Sequence, residues 1–339
     1  MLIESWQVFG YGEYVREEFN KRVNSVRVVE FPDSIPKELR GVKYSIAKNV
    51  LSRYLKVSQT FKTLEEKYFE KEFFKLKPVF EKENTLIIFG TFSIRTRYLE
   101  LIKKEFPYIK IIGVTVDKIR RIEDKERIIK NIKYFDSIFS FDSEDCRDYG
   151  MKHISTFYIE NFIYCGEEKK IDLFYVGSYV GREERFDTVL NLYRYCKKNN
   201  LVSYIKLYDV NKMEKYGKKL LNQGMLSIEE YEDLVTGTPI PVEKTAELMK
   251  ESKVVLEIVD SLQKAPTLRP LECLVSKTKL ITTNTSIKNL DFFNDRNCYI
   301  YEESLKNLEK SFFSLPYVEI DDQIVAQYSL SKFIEKILK

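Results

Sequence analysis

Three short stretches concentrate side chains able to hold a phosphorylated, hydroxyl-rich ligand. In "YVGSYVGREER", Gly177 lets the backbone approach a ligand closely and Ser178 offers a hydroxyl. Arg182 follows, with a guanidinium that can give forked hydrogen bonds to phosphate. The loop "TGTPIP", which carries Ile240, precedes a predicted helix. In "PTLRPLECLV", Arg269 supplies a second fork, and the turn starting at Thr267 is expected to present free backbone N–H groups and the positive end of a helix dipole. Glu272 lies one turn further on and can accept two hydroxyls at once, as a ribose diol requires.

These stretches share one property: each follows a predicted strand. "TLIIFG" (85–90) is a continuous apolar run ending in glycine, as a strand buried on both faces should be. "RYLELIKKEF" follows with Leu99, Ile102 and Phe106 at helical spacing, and then "IKIIGVTV" (109–116) as a strand. "KIRRIEDKERIIKNI" reads as a helix and "SIFSF" as a strand, and a short helix starts at the N-cap Ser143 and stops at Gly150. The pattern restarts after "CGEEKK" with "IDLFYVGS" (171–178), a helix carrying Phe186, Val189, Leu190 and Tyr193 on one stripe, and the strand "VSYIKLYDV". "PVEKTAELMKES", "KVVLEIV", the Thr267 segment and "KLITT" continue the alternation. Strand-helix repetition of this kind predicts α/β architecture with parallel sheets, and in such sheets ligands bind beyond the carboxyl ends of the strands. Two domains are expected, 1–165 and 166–315, with an amphipathic tail (316–339) crossing back to the first. The mixed Lys, Glu and Phe pattern of 50–83 reads as a surface helix, with membrane contact as the competing reading.

Composition removes several classes of function. The chain has 339 residues, 44% apolar and 32% charged, the profile of a soluble globular protein long enough for two cores. No apolar run approaches the roughly 18 residues of a membrane span, and the start lacks a signal peptide, so cytoplasmic residence is expected, with peripheral contact at the inner membrane face. The five cysteines are scattered, which fits free thiols better than disulfides or a zinc site. The single histidine, His153, excludes a multi-histidine metal centre. Basic side chains number 56 against 52 acidic ones, intimately mixed, which is no nucleic-acid footprint.

"DLFYVGSYVGREERFDTVL" together with "TLRPLECLVSKTKLITTN" resembles the C-terminal half of GT-B glycosyltransferases. The chain is most similar to bacterial lipopolysaccharide and capsular polysaccharide biosynthesis proteins of the CgeB-like group, and "FGYGEYVREEF", "KIIGVTVDKIRR" and "YFDSIFSFDSEDCRDYG" resemble their first half. The resemblance implies two Rossmann-like domains facing one cleft. It implies a nucleoside-diphosphate-sugar donor held by the second domain, a glycan or lipid-linked acceptor held by the first, no cofactor and no essential metal.

This chain departs from the family at two places. Many retaining enzymes of the fold carry an acid eight positions before the residue matching Glu272, where Lys264 stands here, and the Trp-Asp pair after "KIIGVTV" is Val116-Asp117. If a base deprotonates the acceptor, it must be a carboxylate or histidine of the first domain, and Asp117 and Glu13, the latter in the loop "GYGEY", are the candidates. Glycosyl transfer is the leading expectation. A non-catalytic partner subunit of the same fold and a nucleotide-sugar epimerase are the alternatives.

Overall fold

The computed structural model describes residues 1–4, 10–32, 58–90, 94–115, 117–119, 125–179, 182–211, 214–260, 265–302, 305 and 307–339. The chain divides into two compact units, Met1–Ile154 and Ser155–Leu338, so the division falls upstream of Gly166.

In the first unit, β1 (Leu2–Glu4), β2 (Arg27–Val29), β3 (Thr85–Phe89), β4 (Lys110–Val114), β5 (Ser137–Ser140) and β6 (Lys152–His153) form a parallel sheet in the order β2-β1-β3-β4-β5-β6. The apolar runs of β3 and β4 lie in its middle, with Leu86, Ile87, Ile88, Ile111 and Ile112 buried, as a sheet covered on both faces demands. Between β1 and β2 runs α1 (Gly12–Asn20). Next comes α2 (Ser58–Phe80), whose Phe69, Phe73 and Phe80 recur at helical spacing and are buried. These rings pack with Phe31, Tyr98 and Phe106; Phe31 and Tyr98 lie 4.9 Å apart, and Phe80 stacks on Phe106 at 5.5 Å. The phenylalanines of this helix therefore serve the core, with Phe74 left exposed. α3 (Thr96–Glu105) buries Tyr98, Leu99, Leu101 and Ile102 in the same cluster. After α4 (Lys125–Asn131), α5 (Ser143–Tyr149) ends at Gly150 with φ 67°, the left-handed conformation glycine tolerates.

Three local expectations need correction. The N-cap of α5 is Asp142, whose carboxylate accepts the N–H groups of Glu144 and Asp145, and Ser143 is the first helical residue. Glu13 stands in the first turn of α1 rather than in a loop. Asp117 is not the end of a strand, because β4 stops at Val114.

In the second unit, β7 (Ile171–Ser178), β8 (Ser203–Tyr208), β9 (Val235–Thr236), β10 (Ser252–Glu257), β11 (Lys279–Thr282) and β12 (Cys298–Ile300) form another parallel sheet, ordered β12-β11-β10-β7-β8-β9. The connecting helices are α6 (Glu183–Lys198), α7 (Glu214–Asn222), α8 (Ile228–Leu234), α9 (Val242–Lys250) and α10 (Arg269–Val275). α6 buries Phe186, Val189, Leu190 and Tyr193, the stripe read from its sequence, against the sheet. After α11 (Ser311–Ser314), the tail forms α12 (Asp322–Ala326) and α13 (Leu330–Leu338). It adds a bridge between Tyr158 and Ser329 and a ring contact between Phe157 and Phe333 at 4.6 Å, both inside the second unit.

Candidate functional site

The strand order of the second sheet determines where a ligand can sit. Chain direction across the sheet reverses between β7 and β10: from β7 the chain builds outward through β8 and β9, then returns to place β10 on the other side of β7. At such a switch point the two following loops diverge and leave a crevice beyond the carboxyl ends. At the carboxyl ends of β7 and β10 the structure brings Arg185, Thr267 and Arg269 together with the buried Tyr175, Glu257, Glu272 and Thr282.

Arg185, on the first turns of α6, spans the two strand ends. Its Nη1 donates to the carbonyl of Ser178 at 2.7 Å and its Nη2 to that of Ile258 at 3.2 Å. Its buried Nε has no hydrogen-bond partner, and no carboxylate among the described residues pairs with this guanidinium. Arg269 approaches from α10. Nη1 pairs with Glu272 Oε2 at 2.9 Å, and Nη2 donates to the carbonyl of Val176 at 3.3 Å. The side chain of Tyr175 folds over Gly177, where a Cβ would fall 2.4 Å from the Tyr175 hydroxyl oxygen. Only glycine leaves that space, so Gly177 is needed for packing as well as for any approach of ligand to backbone. Burial pushes the Tyr175 phenol up, against the pull of Arg185 and Arg269.

Glu257 closes β10. Its side chain is buried and accepts the Thr267 hydroxyl on Oε1 and the Thr282 hydroxyl on Oε2, each at 2.5 Å. Burial raises its pKa; the two threonines and Arg269 work against that rise, and Glu272 adds to it. Thr267 in turn accepts the Arg269 N–H at 3.1 Å, and its carbonyl accepts the Thr156 hydroxyl.

The expectation of free amides at this turn is corrected for the first turn of α10. α10 begins at Arg269, whose N–H is taken by Thr267; Pro270 has none, and the N–H groups of Leu271 and Glu272 both reach the Leu268 carbonyl.

The remaining expected residues are spread more widely. Ser178 ends β7, with its carbonyl engaged by Arg185. Arg182 is the N-cap residue of α6 and pairs with Asp260 at 2.9 Å. Ile240 is half-buried in the loop between β9 and α9, beyond a strand that lies two places from β7, about 10 Å in a sheet. Glu13 is exposed and paired with Arg16. Asp117 is exposed. Its neighbour Lys118 is buried and pairs with Glu144 at 2.6 Å and Asp142 at 3.4 Å, while the Ile119 N–H bonds Asp145, so this loop is anchored from α5. Both acids follow strands that flank β3 in the first sheet. Val116 and Lys264 lie outside the described residues.

Arg185, Glu257, Tyr175 and Thr282 were not singled out from sequence. Two signals were present: a second arginine three positions after Arg182, and a glutamate ending the apolar run "KVVLE".

No sequence-family model matches the chain, and no curated protein matches it. Solved structures do. UDP-GlcNAc 2-epimerase from Methanocaldococcus jannaschii superposes with a TM-score of 0.56 at 9% identity, over 99% of this chain and 98% of that one. The enzyme of the same name from Neisseria meningitidis, bound to UDP-GlcNAc, gives 0.52 at 13% identity over 99% and 98%. The N-terminal domain of trehalose-6-phosphate phosphatase from Candida albicans gives 0.54 at 12% identity over 99% and 96%. The chain has a GT-B fold. At these identities the likeness speaks for the fold alone. Among the described residues no helix is long and apolar enough to cross a membrane.

Proposed function

We propose that the chain binds a nucleoside-diphosphate sugar at the switch point of its second unit and transfers the sugar to a hydroxyl of a glycan, glycolipid or lipid-linked acceptor. The carrying observation is Arg185, whose guanidinium spans the ends of β7 and β10 with no carboxylate among the described residues to neutralise it, beside Arg269. Two guanidinium groups at one crevice suit a diphosphate, which gains negative charge as it leaves, and they do so without metal. Glu272, held by Arg269, is the acceptor for ribose hydroxyls. Asp117 is the proposed base, with Glu13 as the alternative; the anchored Lys118 loop favours Asp117, since a misplaced catalytic group costs about 100-fold in rate. A role in lipopolysaccharide or capsule assembly rests on the sequence resemblance.

Epimerisation of the nucleotide sugar is the second reading. It is favoured by the superposition, over nearly the full chain, of structures named as UDP-GlcNAc 2-epimerases. One experiment tests both. A thermal-shift screen against nucleotide sugars selects the ligand, because ligand bound only by the folded state raises its apparent stability. The selected sugar nucleotide is then incubated with protein alone and with acceptor. Isomerised nucleotide sugar without acceptor supports epimerisation, and acceptor-dependent release of nucleoside diphosphate supports transfer. Absence of any stabilising nucleotide sugar would overturn both.

A further inference from the structure

Glu257 has a position that a ligand-contacting acid would not need. Its carboxylate lies inside the sheet end, and both oxygens are occupied by threonine hydroxyls from different elements. Each of those hydroxyls also accepts a backbone N–H: that of Arg269 for Thr267, and that of Asn284 for Thr282. A hydroxyl has one proton to donate, so both protons point to Glu257. The Asn284 side chain carries the chain of bonds back to the Ala265 carbonyl, which closes a ring through the ends of β10 and β11 and the turn before α10.

We propose that Glu257 is the positioning residue of the diphosphate site: by holding Thr267 and Thr282 together, it fixes the turn from which Arg269 projects and thereby sets affinity for the diphosphate. This rests on the functional reading above and assigns Thr267 to the scaffold rather than to ligand contact. The hydrogen-bond pattern requires an ionised carboxylate, because a protonated Glu257 would bring a third proton to two bonds and leave one donor without an acceptor. Burial and the nearby Glu272 oppose that ionised form, and Arg269 supports it. The thiols of Cys273 and Cys298 also face Glu257 electrostatically, and burial pushes both up, that of Cys298 to about 11, so neither carries charge at neutral pH. Glu257 is thus held charged at some cost to the fold in order to keep the turn in one geometry.

The test uses the full chain, calorimetry with UDP, GDP, ADP, CDP and dTDP, and the thermal unfolding midpoint of each variant. Glu257→Gln keeps the volume and removes the buried charge, but its single carbonyl oxygen can accept only one threonine proton. The expected result is a folded protein with diphosphate affinity lowered at least ten-fold. Thr267→Val should lower affinity similarly, while Thr267→Ser, which keeps the hydroxyl, should retain it. Wild-type affinity in folded Glu257→Gln, or in folded Thr267→Val should the first variant not fold, would overturn the proposal and leave the site reading intact. Failure of both variants to fold would assign the trio to the core and overturn it too. A folded wild type that binds none of the five diphosphates would overturn the site reading itself, and this inference with it.

Discussion

Replacing Arg185 by alanine isolates the charge on which the functional reading depends. In the free protein this guanidinium donates to two carbonyls, those of Ser178 and Ile258. The side chain is only half-buried, so water can reach part of what the truncation exposes, and the loss of stability should be about 1–2 kcal/mol. Removal of one charged hydrogen bond to a bound diphosphate is worth about 1.5–3 kcal/mol, which weakens binding roughly 10- to 160-fold. Arg185→Lys keeps the charge but replaces the planar fork by a point charge and should recover only part of the affinity. Calorimetry with a nucleoside diphosphate and with inorganic pyrophosphate, at fixed ionic strength, measures both effects. Both ligands should weaken together, since the lost contact is to phosphate. A folded Arg185→Ala protein that binds both as the wild type does would refute the assignment of the diphosphate to this switch point.

Four further outcomes are expected. Arg269→Ala should weaken diphosphate binding by about 1.5–3 kcal/mol in calorimetry, and Glu272→Ala should weaken ribonucleotides while sparing pyrophosphate. Turnover should survive chelator treatment unchanged and gain nothing from added Mg²⁺ or Mn²⁺ in a steady-state assay, because on the proposed reading guanidinium groups carry the leaving charge. Asp117→Asn should lower turnover by roughly 10²–10⁴ without changing donor affinity, whereas loss of melting temperature with full activity would assign Asp117 a structural role. Burial lowers the ammonium of Lys169, which donates to the Ser276 carbonyl and the Thr278 hydroxyl, to about 8, and burial does the same to Lys279. A folded-state pKa below the unfolded value means the unfolded chain holds more protons above pH 8. Stability should therefore rise between about pH 8 and 10, and Lys169→Met should flatten that rise in a melting series.

The parts of the fold that sequence made legible are those whose signal is long and self-contained. The apolar run of β7 was assigned its observed limits, Ile171–Ser178, because a strand buried on both faces needs no alternation to be recognised. β1 and the edge strands β2 and β12 have three residues each, and β12 is half-exposed throughout, too short a stretch to show a period. At the site, Arg182 and Arg185 look alike in sequence. Arg182 is the non-helical cap and turns toward Asp260, whereas Arg185 is within the helix and reaches both strand ends. Glu257 ends its strand as solvent-facing acids often do, and its burial depends on hydroxyls supplied by Thr267 and Thr282. Bonds of that kind belong to tertiary structure and leave no local pattern.

The reversal of strand order at β7 and β10 also has a consequence for the order of synthesis. β7 pairs with β8 early, but its other edge waits for β10, in a register that sets Leu173 against Val254 and Phe174 against Val255. Until residues 252–257 have been made, the apolar edge of β7 shows unpaired N–H and C=O groups, a template on which a second nascent chain could align. Contacts so distant in sequence also form slowly. The crevice that gathers Arg185 and Arg269 is created by the same pairing that covers this edge, so one event ends the exposure to aggregation and opens the possibility of binding. On the proposed reading, a sugar nucleotide present at that moment would favour the completed sheet and draw chains away from aggregation, acting as a folding aid before it acts as a substrate.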